Sequence, residues 1–316
     1  MKVVVTGGSG YLGSVLVSVL IAGGWDVTVV DWGGRGWPWH AGPPSPARLV
    51  RADIRTINWT EVLDRGDSVV HLAALVGDPA CSRDQLEAES VNHVASLRLA
   101  SAMAEIGASH LIFASTCSNY GARRHDAGPV DEDVELAPLS RYAETKVAVE
   151  THLLANEHPF SVDVLRFATL FGLSPAMRFD LTVNEFTRDI ALGRPLVVFA
   201  PESWRPYVHT HDASRVIARC LESPPTTPRV LNVGSDRNNS TKLEIVSTVQ
   251  RVVGHSRSVS MGARGGDGRN YKVSFNRLYE ELGLVPTTTV EYGVREIIDA
   301  LSGGEFDDPF AGKYVV

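Results

Sequence analysis

The chain has 316 residues, 44% of them apolar and 21% charged, with a net charge of −7. That balance belongs to an ordinary globular protein. Its negative sign excludes a basic nucleic-acid binder, and no apolar run is long enough to cross a bilayer.

Three cysteines, Cys81, Cys117 and Cys220, lie far apart and in no CxxC pair. A disulfide framework or zinc site is not expected, and a reduced cytoplasmic setting fits. The chain opens directly on "KVVVT" (2–6), a short β-branched run that reads as a buried parallel strand and leaves no room for a signal peptide. "GGSGYLG" (7–13) follows. Then Leu12, Val15, Leu16, Val19 and Leu20 recur at helical spacing until Gly23 and Gly24 stop the helix. "DVTVV" (26–30) is the next strand and ends on Asp31. Residues 32–46, rich in Gly, Pro and Trp, read as one long loop.

Further strands are expected at 48–53, 68–74, 110–116 and 161–171, with helices at about 84–106 and 141–157. The alternation predicts an α/β fold, a Rossmann-like doubly wound parallel sheet. After residue 173 the pattern loosens, and short runs at 195–199 and 229–234 suggest a smaller C-terminal lobe. The expected division is 1–172 for cofactor binding and 173–316 mainly for substrate, with exchange of segments between them.

A glycine turn alone proves little. Here it stands between a strand and a helix, with an acidic residue closing the next strand. Glycine allows positive φ and close backbone approach, and the helix N-terminus attracts phosphate. Asp31 stands where a carboxylate would bind ribose hydroxyls and repel a 2′-phosphate, so NAD is the expected cofactor. Arg35, close by, tempers that preference over NADP.

"RYAETK" (141–146) places Tyr142 and Lys146 four apart, on one helix face. A phenol titrates at about 10. A neighbouring ammonium is expected to lower that value, so the pair can move a hydroxyl proton while a hydride is transferred.

Together "TGGSGYLG" (6–13), Asp31, "ADI" (52–54), "HLAA" (71–74), "STCSNYG" (115–121), "YAETK" (142–146), "LRFATLFG" (165–172) and "RPYVHTHD" (205–212) resemble the extended short-chain dehydrogenase/reductase family, in its nucleotide-sugar epimerase and dehydratase group. The resemblance spans nearly the whole chain. It implies a Thr116–Tyr142–Lys146 catalytic set. Around the cofactor it implies Gly7, Gly10, Tyr11, Leu12, Gly13, Asp31, Asp53, Ile54, Leu72, Ala73 and Ala74, besides Tyr142 and Lys146. It implies a nucleotide-diphosphate sugar as substrate. Thr116, Cys117 and Ser118 would lie beside that substrate, as would Asn184 and Arg205, with Arg264 and Arg269 as candidates for a second phosphate contact. It also suggests a homodimer packed through the helices near 84–106 and 141–157.

The 4,6-dehydratases of this group carry an Asp-Glu pair after the Thr; here the pair is Cys117-Ser118, poor acid–base substitutes. Thr169 stands where the family often has Asn. Asp78 reads as a turn former before Pro79, with sugar contact as the alternative. His71 reads as a packed core histidine, and His209, His211 and Asp212 as structural rather than metal-binding. The expected function is an NAD-dependent nucleotide-sugar epimerase passing through a keto sugar, with the 4-keto form expected. Alternatives are an NAD(P)H-dependent ketoreductase, then a 4,6-dehydratase, and outside enzymes a cofactor-sensing binding protein.

Overall fold

The computed structural model describes residues 2–33, 46–123, 128–254, 259–262 and 268–315. The N-terminal run forms β1 (Lys2–Thr6), α1 (Tyr11–Ala22), β2 (Asp26–Asp31), β3 (Arg48–Arg51) and β4 (Ser68–His71). Next come α2 (Asp78–Arg83), α3 (Gln85–Ala88), a π-helical turn (Glu89–Val94), α4 (Ala95–Ile106), β5 (His110–Thr116), α5 (Arg141–Ala155), β6 (Ser161–Phe167) and β7 (Thr169–Phe171). The remainder is α6 (Thr182–Ala191), β8 (Leu196–Phe199), β9 (Trp204–His209), α7 (Thr210–Glu222), β10 (Arg229–Val233), β11 (Asn239–Thr241), α8 (Lys242–Val253), β12 (Val259–Gly262), α9 (Asn276–Leu282) and α10 (Val290–Ser302).

Seven strands make one parallel sheet in the order β3-β2-β1-β4-β5-β6-β10. The central strands are buried on both faces, as their continuous Val/Ile/Leu runs require. One face packs on Leu16, Val17 and Leu20 of α1 and Val216 and Ile217 of α7. The other packs on Leu99 and Met103 of α4 and Val149 and Leu153 of α5. Strand order reverses between β1 and β4. The crevice beyond their carboxyl ends is therefore where such a sheet takes a ligand, and the loops at 7–10 and 72–77 flank it.

Two expectations are corrected. The run at 229–234 does not belong to a separate C-terminal lobe: β10 pairs with β6, Arg229 beside Asp163 through Val233 beside Phe167, and completes the main sheet. The expected strand 161–171 is two strands. The chain breaks at Ala168, whose N–H bonds the Val233 carbonyl at 2.9 Å, and β7 joins a second sheet of order β11-β9-β7. One sequence run thus feeds both sheets, which is why no linker shows in the composition. The second sheet and helices α6, α8 and α10 enclose their own core around Phe171, Val183, Ile190, Tyr207 and Val294.

Candidate active site

The glycine turn is shaped by contact. Gly7 takes φ +70°, and a Cβ there would sit 2.7 Å from the Ala73 nitrogen. A Cβ on Gly13 would fall 2.2 Å from the Gly7 carbonyl oxygen. These two glycines let β1, the loop after β4 and the start of α1 meet at one point. Gly10 caps α1 without a side-chain hydrogen bond, so the first-turn N–H groups of Tyr11, Leu12 and Gly13 face outward as an anion cradle. Tyr11 offers that cradle only backbone. Its hydroxyl donates to the Gly172 carbonyl at 2.6 Å, and burial pushes its pKa up.

Asp31 is set by two backbone donors, Ser9 N–H at 3.1 Å and Gly33 N–H at 3.0 Å. Its carboxylate therefore stands fixed at the end of β2, beside the glycine turn. Arg35, Trp37 and Trp39 lie outside the described residues. Trp32, at the mouth of that loop, is exposed. Farther along the crevice, the Asp53 carboxylate is gripped in bidentate fashion by Arg55, at 2.6 to 3.0 Å. The guanidinium holds it below the usual carboxylate range. Ile54 is buried beside it.

The floor of the crevice is a chain of hydrogen bonds. The Ala73 N–H donates to Thr6 Oγ1 at 3.2 Å, so the Thr6 hydroxyl is left to donate to His71 Nδ1 at 2.7 Å. His71 Nε2–H then donates to Ser96 Oγ at 2.8 Å, and Ser96 to the Asn92 carbonyl at 2.8 Å. Burial pulls the His71 pKa down to about 3 and keeps the ring neutral, in accord with its reading as a packed core residue. Leu72, Ala73 and Ala74 are half-buried along this floor.

Asn92 was not among the sequence candidates, and neither was Arg178. Asn92 sits in the π-helical turn, which interrupts the helix expected over 84–106. Such single-turn insertions mark functional places in helices, but no residue pattern announces them. Arg178, paired with Asp180 at 2.7 Å, is one of the charges that act on Tyr142.

Ser140 caps α5 by accepting from the Ala143 N–H at 3.3 Å, which starts the helix one residue before Tyr142. One turn on, Lys146 is buried. Its Nζ donates to the Ala114 carbonyl at 2.8 Å and lies 5.9 Å from the Tyr142 ring centre. Burial pulls Lys146 down to about 8. The expectation that the neighbouring ammonium lowers the phenol's pKa is corrected: burial pushes the Tyr142 pKa up. The Cys81 thiol and Asp78 add to that rise, while Arg178 and Arg269 oppose it. Thr116 ends β5 one strand away, its Oγ1 accepting from the Ser118 N–H at 3.1 Å.

Beyond Thr116 the chain turns as a 3-10 helix, Cys117–Tyr120, which sends successive side chains apart. Ser118 faces the cleft and its Oγ meets Arg269 Nη1 at 2.6 Å. Cys117 faces the core, 1% exposed, with Sγ 3.1 Å from the Arg166 carbonyl. The expected substrate contact of Cys117 is thereby corrected, and burial pushes its thiol well up.

Asn184 is also corrected as a nucleotide contact. It is wholly buried: its Oδ1 accepts from Gly172 N–H at 3.1 Å, and its Nδ2 donates to Tyr11 Oη and the Arg178 carbonyl, both at 2.8 Å. Its role is to tie α6 to the turn after β7. Arg205 lies along β9, 6% exposed, donating to the Trp204 carbonyl at 2.8 Å and to that of Arg269, and stacked over Tyr271. Arg264 lies outside the described residues. Asp78, read as a turn former, opens α2, and its Oδ2 pairs with Arg269 Nη2 at 2.6 Å. A cleft of about 740 Å³ opens past these groups, lined by Asp78, Ser82, Ser140, Arg141, Glu144 and Arg269 among others.

His209 accepts from the His211 N–H at 3.2 Å through Nδ1, and its Nε2–H donates to Glu296 at 2.6 Å. It thereby caps α7 and anchors α10. Among the described residues no group of three or more His, Cys, Asp or Glu side chains is placed to hold a metal ion, and no helix is long and apolar enough to cross a membrane.

The model of the NAD dependent epimerase/dehydratase family matches residues 3–234. A UDP-glucose 4-epimerase from Corynebacterium glutamicum is 29% identical over 310 residues, covering 92% of each chain. The solved structure of MoeE5 in complex with UDP-glucose and NAD is 29% identical, with a TM-score of 0.85 over 97% of this chain and 100% of that one. The same protein in complex with UDP-glucuronic acid and NAD superimposes with a TM-score of 0.85, at 28% identity over 96% and 99% of the two chains. A Thermus thermophilus UDP-glucose 4-epimerase complex with NAD, 25% identical, gives 0.82 over 96% and 100%.

Proposed function

This chain belongs to the NAD-dependent epimerase/dehydratase family, and on that premise we propose that it inverts C4 of a UDP-linked hexose. It is an NAD-dependent nucleotide-sugar epimerase. The uridine nucleotide and the C4 position are inferred from the relatives, which act on or bind UDP-sugars. The observation that carries the chemistry is the Tyr142–Lys146 pair, set one turn apart on α5 with the Lys146 Nζ 5.9 Å from the Tyr142 ring centre.

The residues present fit the cofactor. Gly7 and Gly13 leave the close backbone approach that a pyrophosphate needs, and Asp31 is fixed where a ribose diol would meet it. The chemistry NAD supplies when bound is reversible hydride acceptance. Tyr142 would take the proton of the sugar hydroxyl and later return it. Thr116 would hold the same oxygen. Arg178 and Arg269 oppose the rise that burial gives the phenol, and the Lys146 ammonium lies 5.9 Å from the ring centre. The keto sugar then turns and is reduced on its other face. Ser118 and the buried Cys117 provide no acid–base pair for elimination, which disfavours dehydration.

We assign residues 1–172, apart from β7, together with β10 to cofactor binding, and the second sheet, which includes β7, with α6, α8 and α10 to substrate. A homodimer through α4 and α5, in a cytoplasmic setting, is part of the same reading. Exposed Leu86 and Val94, just before α4, and exposed Leu154 on α5 support the first. Three free, buried cysteines support the second.

The test is nucleotide released from the denatured protein, with turnover of UDP-glucose by wild type and Tyr142→Phe. The expected result is near-stoichiometric NAD in both, interconversion of UDP-glucose and UDP-galactose in wild type, and a loss of about 10²-fold or more in the variant. Near-normal turnover by Tyr142→Phe would overturn the mechanism. Consumption of NADPH with net reduction of a keto sugar would replace epimerase by ketoreductase.

A further inference from the structure

Arg269 carries a guanidinium to the wall of the cleft between α2 and the turn after β5. Both of its terminal nitrogens are committed there: Nη1 to Ser118 Oγ and Nη2 to Asp78 Oδ2, each at 2.6 Å. Ser118 is two residues past Thr116, and both Asp78 and Arg269 are near enough to Tyr142 for their charges to act on its phenol. The bridge therefore borders the space where the reacting sugar must lie. The second carboxylate oxygen of Asp78, Oδ1, is buried with no hydrogen-bond partner. An acceptor left in that state costs free energy, so the carboxylate is held in place by Arg269 rather than by its own surroundings.

The other cation on this wall is also committed. Arg141 donates to Glu89 at 2.7 Å and lies 3.3 Å from Glu144. Among the described residues the wall thus pairs each arginine with carboxylate, and Asp78 is the acid on it whose charge reaches the Tyr142 phenol. A sugar bearing its own carboxylate would have to displace Asp78 from Arg269, leaving two anions side by side in a half-buried place, which is strongly unfavourable. A neutral hexose meets no such opposition and leaves the bridge intact.

We propose that Asp78 is a specificity-determining residue: by holding Arg269 as a neutral pair against Ser118, it makes the sugar end of the cleft favour a nucleotide-linked neutral hexose over a hexuronate. The inference rests on the UDP-hexose reading above and sharpens it, because one similar protein, MoeE5, is seen with both kinds of sugar.

The experiment uses NAD-loaded full-length protein. Dissociation constants for UDP-glucose and UDP-glucuronate are measured by calorimetry in the Tyr142→Phe background, which reads selection without turnover. The same is done with Asp78→Asn and with Arg269→Gln added. UDP-glucose should bind at least about tenfold more tightly than UDP-glucuronate. Asp78→Asn, which frees the guanidinium while keeping the side-chain shape, should shrink that ratio to near unity or reverse it. Arg269→Gln, which leaves Asp78 uncompensated, should widen it. Opposite signs from two neighbouring substitutions cannot arise from general damage to the fold.

A ratio near unity in the parent overturns the proposal, as does a ratio that Asp78→Asn leaves unchanged. If both ligands weaken or tighten by one common factor, the bridge serves the shared diphosphate and the proposal fails. If neither UDP-sugar binds although NAD is retained, the UDP-hexose reading itself falls, and this inference with it.

Discussion

Asn92 closes on the backbone of Leu75 from both sides. Its Oδ1 accepts from the Leu75 N–H at 2.7 Å, and its Nδ2 donates to the Leu75 carbonyl at 2.9 Å. The pair fixes the loop between β4 and α2, the loop that carries Ala73 and Ala74 against the glycine turn and Asp78 into the cleft. Cys81 Sγ adds a contact to the same carbonyl at 3.3 Å. Asn92→Asp keeps the acceptor and loses the donor, placing a charge in a fully buried spot. It should cost about 1–3 kcal/mol of stability and raise KM for the nucleotide sugar more than it lowers kcat. Chemical denaturation with steady-state kinetics checks both. An unchanged KM beside a clear stability loss would mean that the loop is held by other means.

Gly13 makes a second, sharper claim. Its Cα lies where any side chain meets the Gly7 carbonyl, and that carbonyl also accepts the Gly10 N–H at 3.0 Å. Gly13→Ala must push α1 away from the turn. The expected outcome is loss of retained NAD on purification, with a stability penalty of about 1–3 kcal/mol. Full NAD occupancy in this variant would show that the cradle has slack that the contact distances deny.

How much of this was readable from sequence follows from the range of the forces. β1, β2 and β5, and the Tyr142–Lys146 spacing, depend on local periodicity, and they lie where that periodicity puts them. The glycine turn was readable because strand, turn, helix and Asp31 are contiguous. The orientation of Cys117 was not: a 3-10 turn sends neighbours to different sides, and whether the core or the cleft receives Sγ depends on Arg166 and Asn232, far along the chain. Asn184 escaped for the same reason, since its partners Tyr11, Gly172 and Arg178 come from three separate segments. The Asp78–Arg269 bridge joins positions 191 residues apart, and β10 finds its place by pairing with β6 rather than by any pattern of its own.

Lys146 sets an expectation for alkaline pH. Burial brings it to about 8, so its charge is present at neutral pH and is lost as pH rises past that value. With the charge goes the cation that α5 holds 5.9 Å from the Tyr142 ring centre, and kcat should fall above about pH 8. Lys146→Arg holds its charge at any accessible pH. Its activity will be lower because the longer fork disturbs the bond to Ala114, but its alkaline limb should move upward. Identical alkaline limbs in both proteins would assign the limb to another group.

His71 gives the acid counterpart, on stability rather than rate. Burial holds it neutral in the folded protein, down to about pH 3, whereas in the unfolded chain it titrates near its ordinary value of 6.5. Between those two values the unfolded chain binds a proton that the native state refuses. Stability contributed by the neutral ring is therefore whole above about pH 6.5 and is lost as pH falls, by about 1.4 kcal/mol per pH unit. At pH 5 the loss from this one residue should reach about 2 kcal/mol. His71→Gln removes the titration while keeping a hydrogen-bonding side chain between Thr6 and Ser96. It should be less stable than wild type at pH 7.5, yet lose less on going to pH 5. Urea unfolding of both proteins at the two pH values measures the difference of differences. Equal losses would mean that the ring accepts its proton in place, and that the Thr6–His71–Ser96 chain under the glycine turn can rearrange to let it.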